Sequence, residues 1–545
     1  MTSDTGPALI RPGMSSPSMQ RYTPWAGLRL TRSSGSGAFC THALLLLLLV
    51  LAGCTSVPFD YPKTTSSALV PGAGTELGRL RGDWSTRHGG DSGFIGLPNG
   101  IEALGARLKM MEAAESTIDA QYFILKKDRA GALFVGKMLL AADRGVRVRL
   151  LIDDIFTPDA DEVLTLLDSH PNIEVRLFNP VSRQGFKYWG FLFDFKRANR
   201  RMHNKSFTVD DTLSIVGGRN IGEEYFELKQ DVKFDDYEVL AIGPVVPEVS
   251  AGFDAFWNSE LSVPMRAFGL QVDSEDLDRL REYIREQTDL GTQGIYAQAV
   301  NSSVLRDIEE QQITPVTAPA TLVTDMPEKL TGSVGETALA TLGVEIARRF
   351  RAATEEIIIV TPYFVPQDSG ARLLEELLAK GVRIVIVTNS LASTNHVPVH
   401  SGYARYRKRL LRAGAEIYEI RADSVVEETE WGHRPELMTL HSKATIIDRS
   451  TIFIGSLNFD PRSVLVNSEM GLFIESSEIG GRFTERMVES LSPVTFQVKL
   501  KGDGSLQWVY DHDGKREVFD REPLASWGRR ALVPVYRILP IEDQL

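Results

Sequence analysis

The sequence contains few cysteines. Among its 545 residues only Cys40 and Cys54 are cysteine, which excludes a scaffold that depends on several disulfide bonds. A chain of this length can instead bury the hydrophobic cores of about two to four domains. Its 43% hydrophobic and 24% charged residues are typical of a globular protein that packing alone stabilises.

Acidic residues are missing from the N-terminal segment, and long apolar runs are scarce. No Asp or Glu occurs at positions 5 to 59, and four arginines precede the run ALLLLLLVLAG at 43–53. Spanning a bilayer takes about 20 apolar residues, so this run is too short for that, but it is typical of a secretory signal. The letters LAGC at 51–54 resemble a bacterial lipobox, whose cysteine becomes the lipidated first residue of the mature protein.

This pattern predicts a lipoprotein signal peptide at 1–53, lipidation of Cys54, and a tether at 54–99 that is rich in small and polar residues. We therefore expect a membrane-anchored lipoprotein of the cell envelope that faces the periplasm. Thr55, rather than Asp, follows the cysteine, and this favours the outer membrane. The alternative interpretation is a cysteine that follows a membrane anchor by chance.

An excess of basic residues is also absent. The net charge is −12 and the isoelectric point is about 5.4. Residues 1–53 hold four Arg and one Asp, so the rest of the chain carries −15. Proteins that bind nucleic acid through its phosphates usually present a basic face. Nucleic acid is therefore not an expected partner, although a local basic groove is not excluded.

Histidine is rare too, and two of the nine histidines lie in matched motifs. HNKSFTVD at 203–210 and HSKATIID at 441–448 both have the pattern His-x-Lys-x-x-x-x-Asp. Ordinary residue frequencies give about 0.03 chance matches to this pattern in a chain of this length. The pair therefore indicates one functional pattern that is present twice.

The sequence around the motifs is repeated as well. Residues 118–152 and 357–387 each have the pattern of an apolar strand, an amphipathic helix and a second apolar strand. Seventeen residues after each motif histidine stands an asparagine, Asn220 or Asn458. Farther along, the letters DYEV and NSEM match, which aligns two glutamates: Glu238 and Glu469.

Two copies of one unit predict an α/β fold. We expect two homologous halves at 100–265 and 336–495, packed about a pseudo-twofold axis. Residues 266–335 are predicted to form a helical insert and a Pro/Thr-rich linker. Residues 496–545 are predicted to form a C-terminal extension that includes a hairpin.

The motif residues suit phosphoryl transfer. On a strand, positions i and i+2 share a face, so His203 lies beside Lys205 and His441 beside Lys443. Two imidazoles that meet across a twofold axis suit a two-step displacement, because one can attack while the other protonates the leaving oxygen. Two ammonium groups stabilise an anion whose charge spreads over several oxygens. The alternative is that these are ordinary surface residues of strands.

The doubled motif and its downstream asparagines resemble the phospholipase D superfamily, over about residues 100–260 and 336–490. The stretches TNSLASTNHVPVHSGYARYRKRLLRAGAEIYE, NFDPRS and LPIEDQL are most similar to bacterial cardiolipin synthases of the C type. The resemblance implies a phosphohistidine intermediate and no metal or other cofactor. It also implies a monomer in which the two halves form one site.

The resemblance also implies a role for each site residue. His203 is the nucleophile, and His441 is first the general acid and then the base. Two lysines and two asparagines hold the phosphoryl oxygens: Lys205, Lys443, Asn220 and Asn458. Two carboxylates orient the imidazoles: Glu238 and Glu469. Asp210 and Asp448 complete the catalytic motif, although their positions at predicted turns favour a structural role.

We expect a phosphatidyltransferase that acts on a phospholipid and passes the phosphatidyl group to an alcohol, most simply a second phospholipid. The alternatives are hydrolysis by water, as in a phospholipase or another phosphodiesterase, and a non-catalytic lipid-binding envelope protein. His396 and His400 have the i, i+4 spacing of a metal pair, but no third ligand is evident. Residues 186–205 interleave aromatic and basic residues, which suits either a core or a membrane contact.

Overall fold

The structure is a computed structural model that describes residues 57–156, 160–183, 191, 194–229, 232–291, 296–310, 312–331, 341–424 and 437–545. Residues from Thr55 onward form one compact unit. The predicted signal peptide and Cys54 lie outside the described residues, so lipidation stays a prediction. Within the described ranges, no helix is both long and apolar enough to cross a membrane.

The first half alternates strands with helices. Its strands are β1 Ser92–Leu97, β2 Thr117–Tyr122, β3 Arg147–Asp153, β4 Ile173–Phe178, β5 Ser206–Val209, β6 Leu213–Gly217, β7 Val232–Asp235, β8 Glu238–Ile242 and β9 Ser262–Pro264. Its helices are α1 Glu76–His88, α2 Gly100–Ala113, α3 Arg129–Asp143, α4 Asp161–Asp168, α5 Phe195–Ala198 and α6 Val245–Trp257.

A connecting segment leads to the second half. Its elements are α7 Ser274–Gly291, α8 Tyr296–Val300, α9 Val304–Glu309, β10 Val316–Ala318 and β11 Ala320–Thr324. The strands that follow are β12 Glu356–Val360, β13 Arg383–Asn389, β14 Glu416–Ile420, β15 Leu437–Leu440, β16 Ala444–Ile447, β17 Thr451–Gly455, β18 Met470–Glu475, β19 Thr495–Leu500, β20 Leu506–His512 and β21 Lys515–Phe519. The helices are α10 Thr341–Ala352, α11 Gln367–Ala379, α12 Val397–Ala413, α13 Ser477–Val494 and α14 Trp527–Ile538.

The two large sheets have matching strand orders. The first is β10-β1-β8-β6-β5-β2-β3-β4-β9, and the second is β11-β18-β17-β16-β12-β13-β14-β19-β20-β21. From β1 to β9 and from β11 to β19 the orders correspond strand for strand. In each sheet only the three strands of the βαβ region are parallel. The predicted α/β fold of two homologous halves is therefore confirmed.

The predicted βαβ units are present in both halves. The apolar strands β2 and β3 are joined by α3, and β12 and β13 by α11. Both helices bury one apolar face against their own sheet, as three-to-four spacing of apolar residues requires.

The two halves share a hydrophobic core. Apolar side chains from one face of each sheet form a single buried cluster, which includes Val216, Val239, Ala241, Ile358, Ile446 and Ile454. Separate clusters fill the space between each sheet and its helices. The small sheet adds a second link, because β7 of the first half pairs in parallel with β15 of the second. The halves are thus packed sheet against sheet.

The connecting segment contains strands of both large sheets, although its Pro/Thr content predicted a linker. Strand β10 pairs with β1 at the edge of the first sheet, and β11 pairs with β18 at the edge of the second. Alternating Thr and Val residues suit a strand in this position. The C-terminal extension forms the predicted hairpin as β19 and β20, and it adds three strands to the second sheet.

Candidate active site

The two motifs lie at the start of two equivalent central strands. His203 and Lys205 precede β5, and His441 and Lys443 precede β16. In each motif the lysine ammonium donates a hydrogen bond to the carbonyl oxygen of its own histidine, at 2.7 Å in the first and 2.5 Å in the second. The ammonium and imidazole of each motif therefore lie together, as the i, i+2 spacing predicts.

Both motif backbones are bound by the opposite half. The His203 N–H donates to the carbonyl oxygen of Ser468 at 3.0 Å. The His441 N–H donates to the carbonyl oxygen of Asp235 at 2.7 Å. These reciprocal hydrogen bonds join each motif segment to the opposite half.

Each imidazole also takes its carboxylate from the opposite half. His203 Nδ1 lies 2.9 Å from Oε2 of Glu469, and His441 Nδ1 lies 2.5 Å from Oδ2 of Asp236. A carboxylate on Nδ1 fixes the orientation of a ring and leaves Nε2 for chemistry. The structure thus brings Glu469 to the imidazole as expected, and it adds Asp236, which sequence reasoning missed.

The expectation that Glu238 orients an imidazole is wrong. Its carboxylate is buried within the first half, where it accepts a hydrogen bond from Arg107 at 2.7 Å. Arg219 provides a second, longer contact at 3.4 Å. Glu238 therefore neutralises buried arginines and does not serve the site.

Strand pairing explains the misalignment. Gly217 of β6 pairs with Glu238, whereas the equivalent Gly455 of β17 pairs with Gly471. Glu238 is therefore the counterpart of Gly471. Two residues earlier, Asp236 is the counterpart of Glu469. The only sign of this role in the sequence was that Asp236 is an acidic residue two positions before Glu238.

Asp210 and Asp448 are structural, which corrects their assignment to the catalytic motif. Each lies at a hairpin turn with positive φ, 50° and 49° respectively. The Asp210 carboxylate accepts hydrogen bonds from the backbone N–H groups of residues 115–117, at 2.7 to 3.0 Å. Asp448 does the same for residues 354–356. Each aspartate ties its turn to the start of the neighbouring strand, at the end of β5 or β16 that lies away from the histidine.

The two asparagines are buried but not equivalent. Asn220 Oδ1 accepts a hydrogen bond from the N–H of Ile124 at 3.1 Å. Among the described residues, Asn458 Oδ1 has no hydrogen-bond partner. Asn458 follows β17 closely, and Ser456 of the same loop donates to Glu469. Both asparagines stay proposed ligands of the phosphoryl oxygens.

Burial sets the protonation of the motif residues. It lowers the pKa of Lys205 to about 7 and that of Lys443 to about 8. Burial, followed by the charges of these two ammonium groups, also holds the pKa of His203 well below its usual value. Burial and the adjacent Lys443 lower the pKa of His441 to about 3. Both imidazoles are therefore neutral near pH 7, and a neutral imidazole is the nucleophilic form.

The two orienting carboxylates differ in charge. Burial raises the pKa of Glu469 to about 7, with Lys205 acting in the opposite direction. Burial also acts to raise the pKa of Asp236, but the contacts with His441 and Lys443 outweigh it and keep that pKa below the usual value. Asp236 is thus ionised throughout the neutral range, which prepares His441 to accept a proton.

Aromatic rings cover both imidazoles. Phe123, just after β2, meets His203 edge to face, with ring centres 4.9 Å apart. Phe234 of β7 stacks on His441 at 5.3 Å, and Tyr225 meets the same ring edge to face at 5.2 Å. These three rings were not predicted as site residues. Apolar rings against the imidazoles lower the local dielectric constant, which strengthens electrostatic interactions inside the site.

His396 and His400, which have the spacing of a metal pair, contact different side chains. His396 packs against the ring of Tyr363 at 5.4 Å, whereas His400 Nε2 lies 3.5 Å from Glu522. The described residues contain no group of three or more His, Cys, Asp or Glu side chains that could hold a metal ion. Metal independence of the reaction stays a prediction.

The aromatic and basic segment at 186–205 falls partly outside the described residues. Of its described members, Arg201 is buried and contacts Asp153 at 3.2 Å, while Phe195 is exposed.

Comparison with known proteins agrees with this geometry. A family model described as "Cardiolipin synthase, PLD-like domain" matches residues 108–257 and 346–491, one match in each half. In a solved structure, phosphatidylserine synthase of Haemophilus influenzae has a similar fold, with a TM-score of 0.54 at 12% identity. That likeness covers 86% of this chain and 100% of the other.

Two relatives show the similarity in sequence. Cardiolipin synthase A of Pseudomonas syringae is 25% identical over 74% of this chain and 68% of its own. Cardiolipin synthase C of Escherichia coli is 39% identical over 84% of this chain and 97% of its own. Since the family model also matches both motif-bearing halves, the chain belongs to the cardiolipin synthase family of phospholipase D-like proteins.

Proposed function

We propose that the protein is a phosphatidyltransferase that joins two phospholipids into cardiolipin through a phosphohistidine intermediate. The observation that carries the proposal is the reciprocal pairing of His203 with Glu469 and of His441 with Asp236. This pairing holds two neutral imidazoles and two lysines in one buried site. The likeness to cardiolipin synthases supports the choice of lipid chemistry.

In the first step, Nε2 of His203 attacks the phosphorus of a phospholipid headgroup. A phosphorus–nitrogen bond forms, the bond to the headgroup oxygen breaks, and His441 gives that oxygen a proton. His441 must be protonated for this step. The single negative charge of the arriving phosphodiester offsets part of the positive charge of Lys205 and Lys443, which raises the pKa of the imidazole beside ionised Asp236.

In the second step, neutral His441 takes the proton from the acceptor hydroxyl. The hydroxyl oxygen attacks the phosphorus, the phosphorus–nitrogen bond breaks, and His203 returns to its free form. Lys205 and Lys443, with Asn220 and Asn458, hold the phosphoryl oxygens while their charge rises.

Water needs the same base as a lipid hydroxyl, so hydrolysis is the competing outcome. The rings of Phe123, Tyr225 and Phe234 around the imidazoles favour a lipid alcohol over water. The pairing of both motifs within one chain supports a monomeric enzyme.

Location is part of the proposal. The LAGC stretch at 51–54 supports a lipoprotein anchored at Cys54 that faces the periplasm, in the outer membrane. Labelling with a radioactive fatty acid tests it: wild-type chain should incorporate label, and Cys54→Ala should not. Equal labelling of both would reject the anchor.

The activity is tested with vesicles of isotopically labelled phosphatidylglycerol and purified full-length protein. We expect mass spectrometry to detect cardiolipin together with one released glycerol for each molecule formed. His203→Ala is the matched control and should form none. Phosphatidic acid as the sole product would show a hydrolase, and no turnover of the phosphatidylglycerol would contradict the proposal.

A further inference from the structure

The connecting segment contains a buried ion pair that the proposed mechanism does not use. Asp325 directly follows β11, and Lys329 lies four residues later in a single 3₁₀ turn at Pro327–Leu330. The Lys329 ammonium donates a hydrogen bond to Oδ2 of Asp325 at 2.7 Å, and the two side chains keep only 2% and 0% of their surface accessible. A buried ion pair is often no more stabilising than apolar residues of the same volume. Stability alone therefore does not account for this pair.

Asp325 binds the backbone of Glu469 in both directions. The Asp325 N–H donates to the carbonyl oxygen of Glu469 at 2.9 Å, and the Glu469 N–H donates to Oδ2 of Asp325 at 3.1 Å. The other carboxylate oxygen of Asp325 accepts a hydrogen bond from the N–H of Leu342 at 3.1 Å. Because the Glu469 carboxylate lies 2.9 Å from Nδ1 of His203, Asp325 holds the residue that orients this imidazole.

Lys329 joins the same contact to the segment that carries His203. Its ammonium donates a second hydrogen bond to the carbonyl oxygen of Ser463 at 3.2 Å, in the loop that precedes Glu469. Its own carbonyl oxygen accepts a hydrogen bond from the guanidinium of Arg200, three residues before His203, at 2.8 Å. The ion pair therefore touches both of the segments that meet where Glu469 contacts His203.

Charged groups surround the buried carboxylate of Glu469. Burial raises its pKa to about 7, whereas the positive charges of Lys205 and Lys329 act to lower it. Burial also raises the pKa of Asp325; Lys329 opposes that rise, and the negative charge of Glu469 adds to it. The other charged groups that interact with Glu469 are His203 when protonated, Lys443, Arg462 and Asp460. Lys329 and Asp325 therefore act on Glu469 with opposite signs.

We propose that Asp325 and Lys329 are positioning residues, which hold Glu469 in place against the nucleophilic imidazole of His203. This inference rests on the proposed function, because that function makes His203 the nucleophile. It goes further because it gives the connecting segment a part in the site, at residues that the sequence predicts to lie in a linker. The alternative is that the pair only fixes the connecting segment to the second half and has no effect on His203.

Single-turnover release of nitrophenol from a nitrophenyl phosphodiester donor, with enzyme in excess, is the first measurement. Nitrophenolate leaves without a proton from His441, so this rate reports attack by His203. In full-length protein, Asp325→Asn and Lys329→Met each remove one charge of the pair. We expect the maximal rate to fall by up to about 100-fold, with the half-saturating enzyme concentration nearly unchanged, because both residues act through Glu469 and not on the donor. Wild-type rates in both variants would overturn the proposal.

The pH dependence of the same rate separates positioning from a purely structural role. Loss of the positive charge of Lys329 should move the fall in rate at acid pH to higher pH by about one unit, because Glu469 then holds its proton more tightly. Loss of the negative charge of Asp325 should move that fall to lower pH. An unmoved profile in both variants, or a shift of both in the same direction, would contradict the proposal.

Arg149→Met is the matched control, because it breaks an equally buried ion pair with Asp119 whose hydrogen-bond partners all lie outside the site. We expect it to lower the melting temperature, while the rate per folded molecule and its pH dependence stay as in wild type. A shift of its profile equal to that of Lys329→Met would show that any buried charge has this effect, and would reject a specific role for Asp325 and Lys329.

Nitrogen-15 NMR of labelled histidine gives a measurement that needs no turnover. His203→Ala identifies the signals of His203 in full-length protein. Their titration with pH reports the ionisation of Glu469, because its carboxylate lies 2.9 Å from Nδ1 of His203. We expect the midpoint to rise in Lys329→Met and to fall in Asp325→Asn, and an unmoved midpoint in both would overturn the proposal. An inactive wild-type chain would refute the proposed function, while the NMR midpoints would still decide the role of the ion pair.

Discussion

His441 Nδ1 lies 2.5 Å from the carboxylate of Asp236, although 205 residues separate the two along the chain. We expect Asp236→Asn to lower kcat by about 100-fold, because the amide cannot stabilise the imidazolium that forms during proton transfer. Thermal unfolding should change little. The measurement is steady-state turnover together with the melting temperature.

Glu238→Gln is the matched control for that variant, since it changes an equally buried acidic residue two positions away. It breaks the ion pair with Arg107 and should lower the free energy of unfolding by about 3 kcal/mol. Turnover per folded molecule should be retained. A catalytic defect confined to Glu238→Gln, with normal turnover in Asp236→Asn, would reverse the assignment of the orienting carboxylate.

Asp210→Ala should affect stability and leave the chemistry unchanged. The substitution leaves three backbone N–H groups at the start of β2 without their acceptor. That of Thr117 is buried, and a buried unsatisfied group costs about 1 to 3 kcal/mol. Urea unfolding should show a clear loss of stability, while kcat under native conditions stays within about twofold of wild type. A large fall in kcat with unchanged stability would restore this aspartate to the catalytic set.

An activated substrate should distinguish the roles of the two histidines. His203→Ala should be inactive on every donor, because no other group can form the covalent intermediate. His441→Asn should lose about 10² to 10⁴ in rate on natural lipid, but should release nitrophenol in a single burst from a nitrophenyl donor. Phosphatidyl label should then remain on His203. A burst from His203→Ala would exchange the two roles.

The pH dependence of kcat/KM should have a narrow maximum just above pH 7. Burial raises the pKa of Glu469 to about 7, so its carboxylate is protonated on the acid side and orients His203 less well. Burial lowers the pKa of Lys205 to about 7 and that of Lys443 to about 8, so positive charge is lost on the alkaline side. The bell-shaped profile reports these groups in the free enzyme.

Lys205→Arg tests the cause of the fall in kcat/KM at alkaline pH, because a guanidinium keeps its charge at every pH of interest. The decline above pH 7 should move to higher pH, whatever the variant's absolute rate. An unchanged alkaline limb would assign it to another group.

Turnover should survive a chelator. Two imidazoles and two ammonium groups already provide the base, the acid and the positive charge that a metal ion would supply. Incubation with EDTA should leave kcat unchanged. Loss of activity that zinc or magnesium restores would reject this expectation.

Local patterns predicted the fold and the grouping of the motif side chains. The doubled motif identified His203, Lys205, His441 and Lys443, because i, i+2 spacing depends only on neighbouring residues. The βαβ units were predicted for the same reason, since strand and helix periodicities are local.

The missed residues depend on pairing between distant segments. Asp236 could not be aligned because the loops before β8 and β18 differ in length, and only the pairing of β6 with β8 fixes the register. Phe234 reaches His441 because β7 pairs with β15 of the other half, a contact with no local signal. Strand β10 was hidden in a Pro/Thr-rich segment that becomes ordered by pairing with β1.

The exchange of carboxylates between the halves also bears on how the enzyme is made. His203 and Glu469 are 266 residues apart in the chain, and contacts of such long sequence separation form late in folding. A newly synthesised first half therefore carries a histidine and a lysine that lack their orienting partner. Because the second half supplies both this carboxylate and the second motif, the complete site can assemble only after the second half has been synthesised and docked.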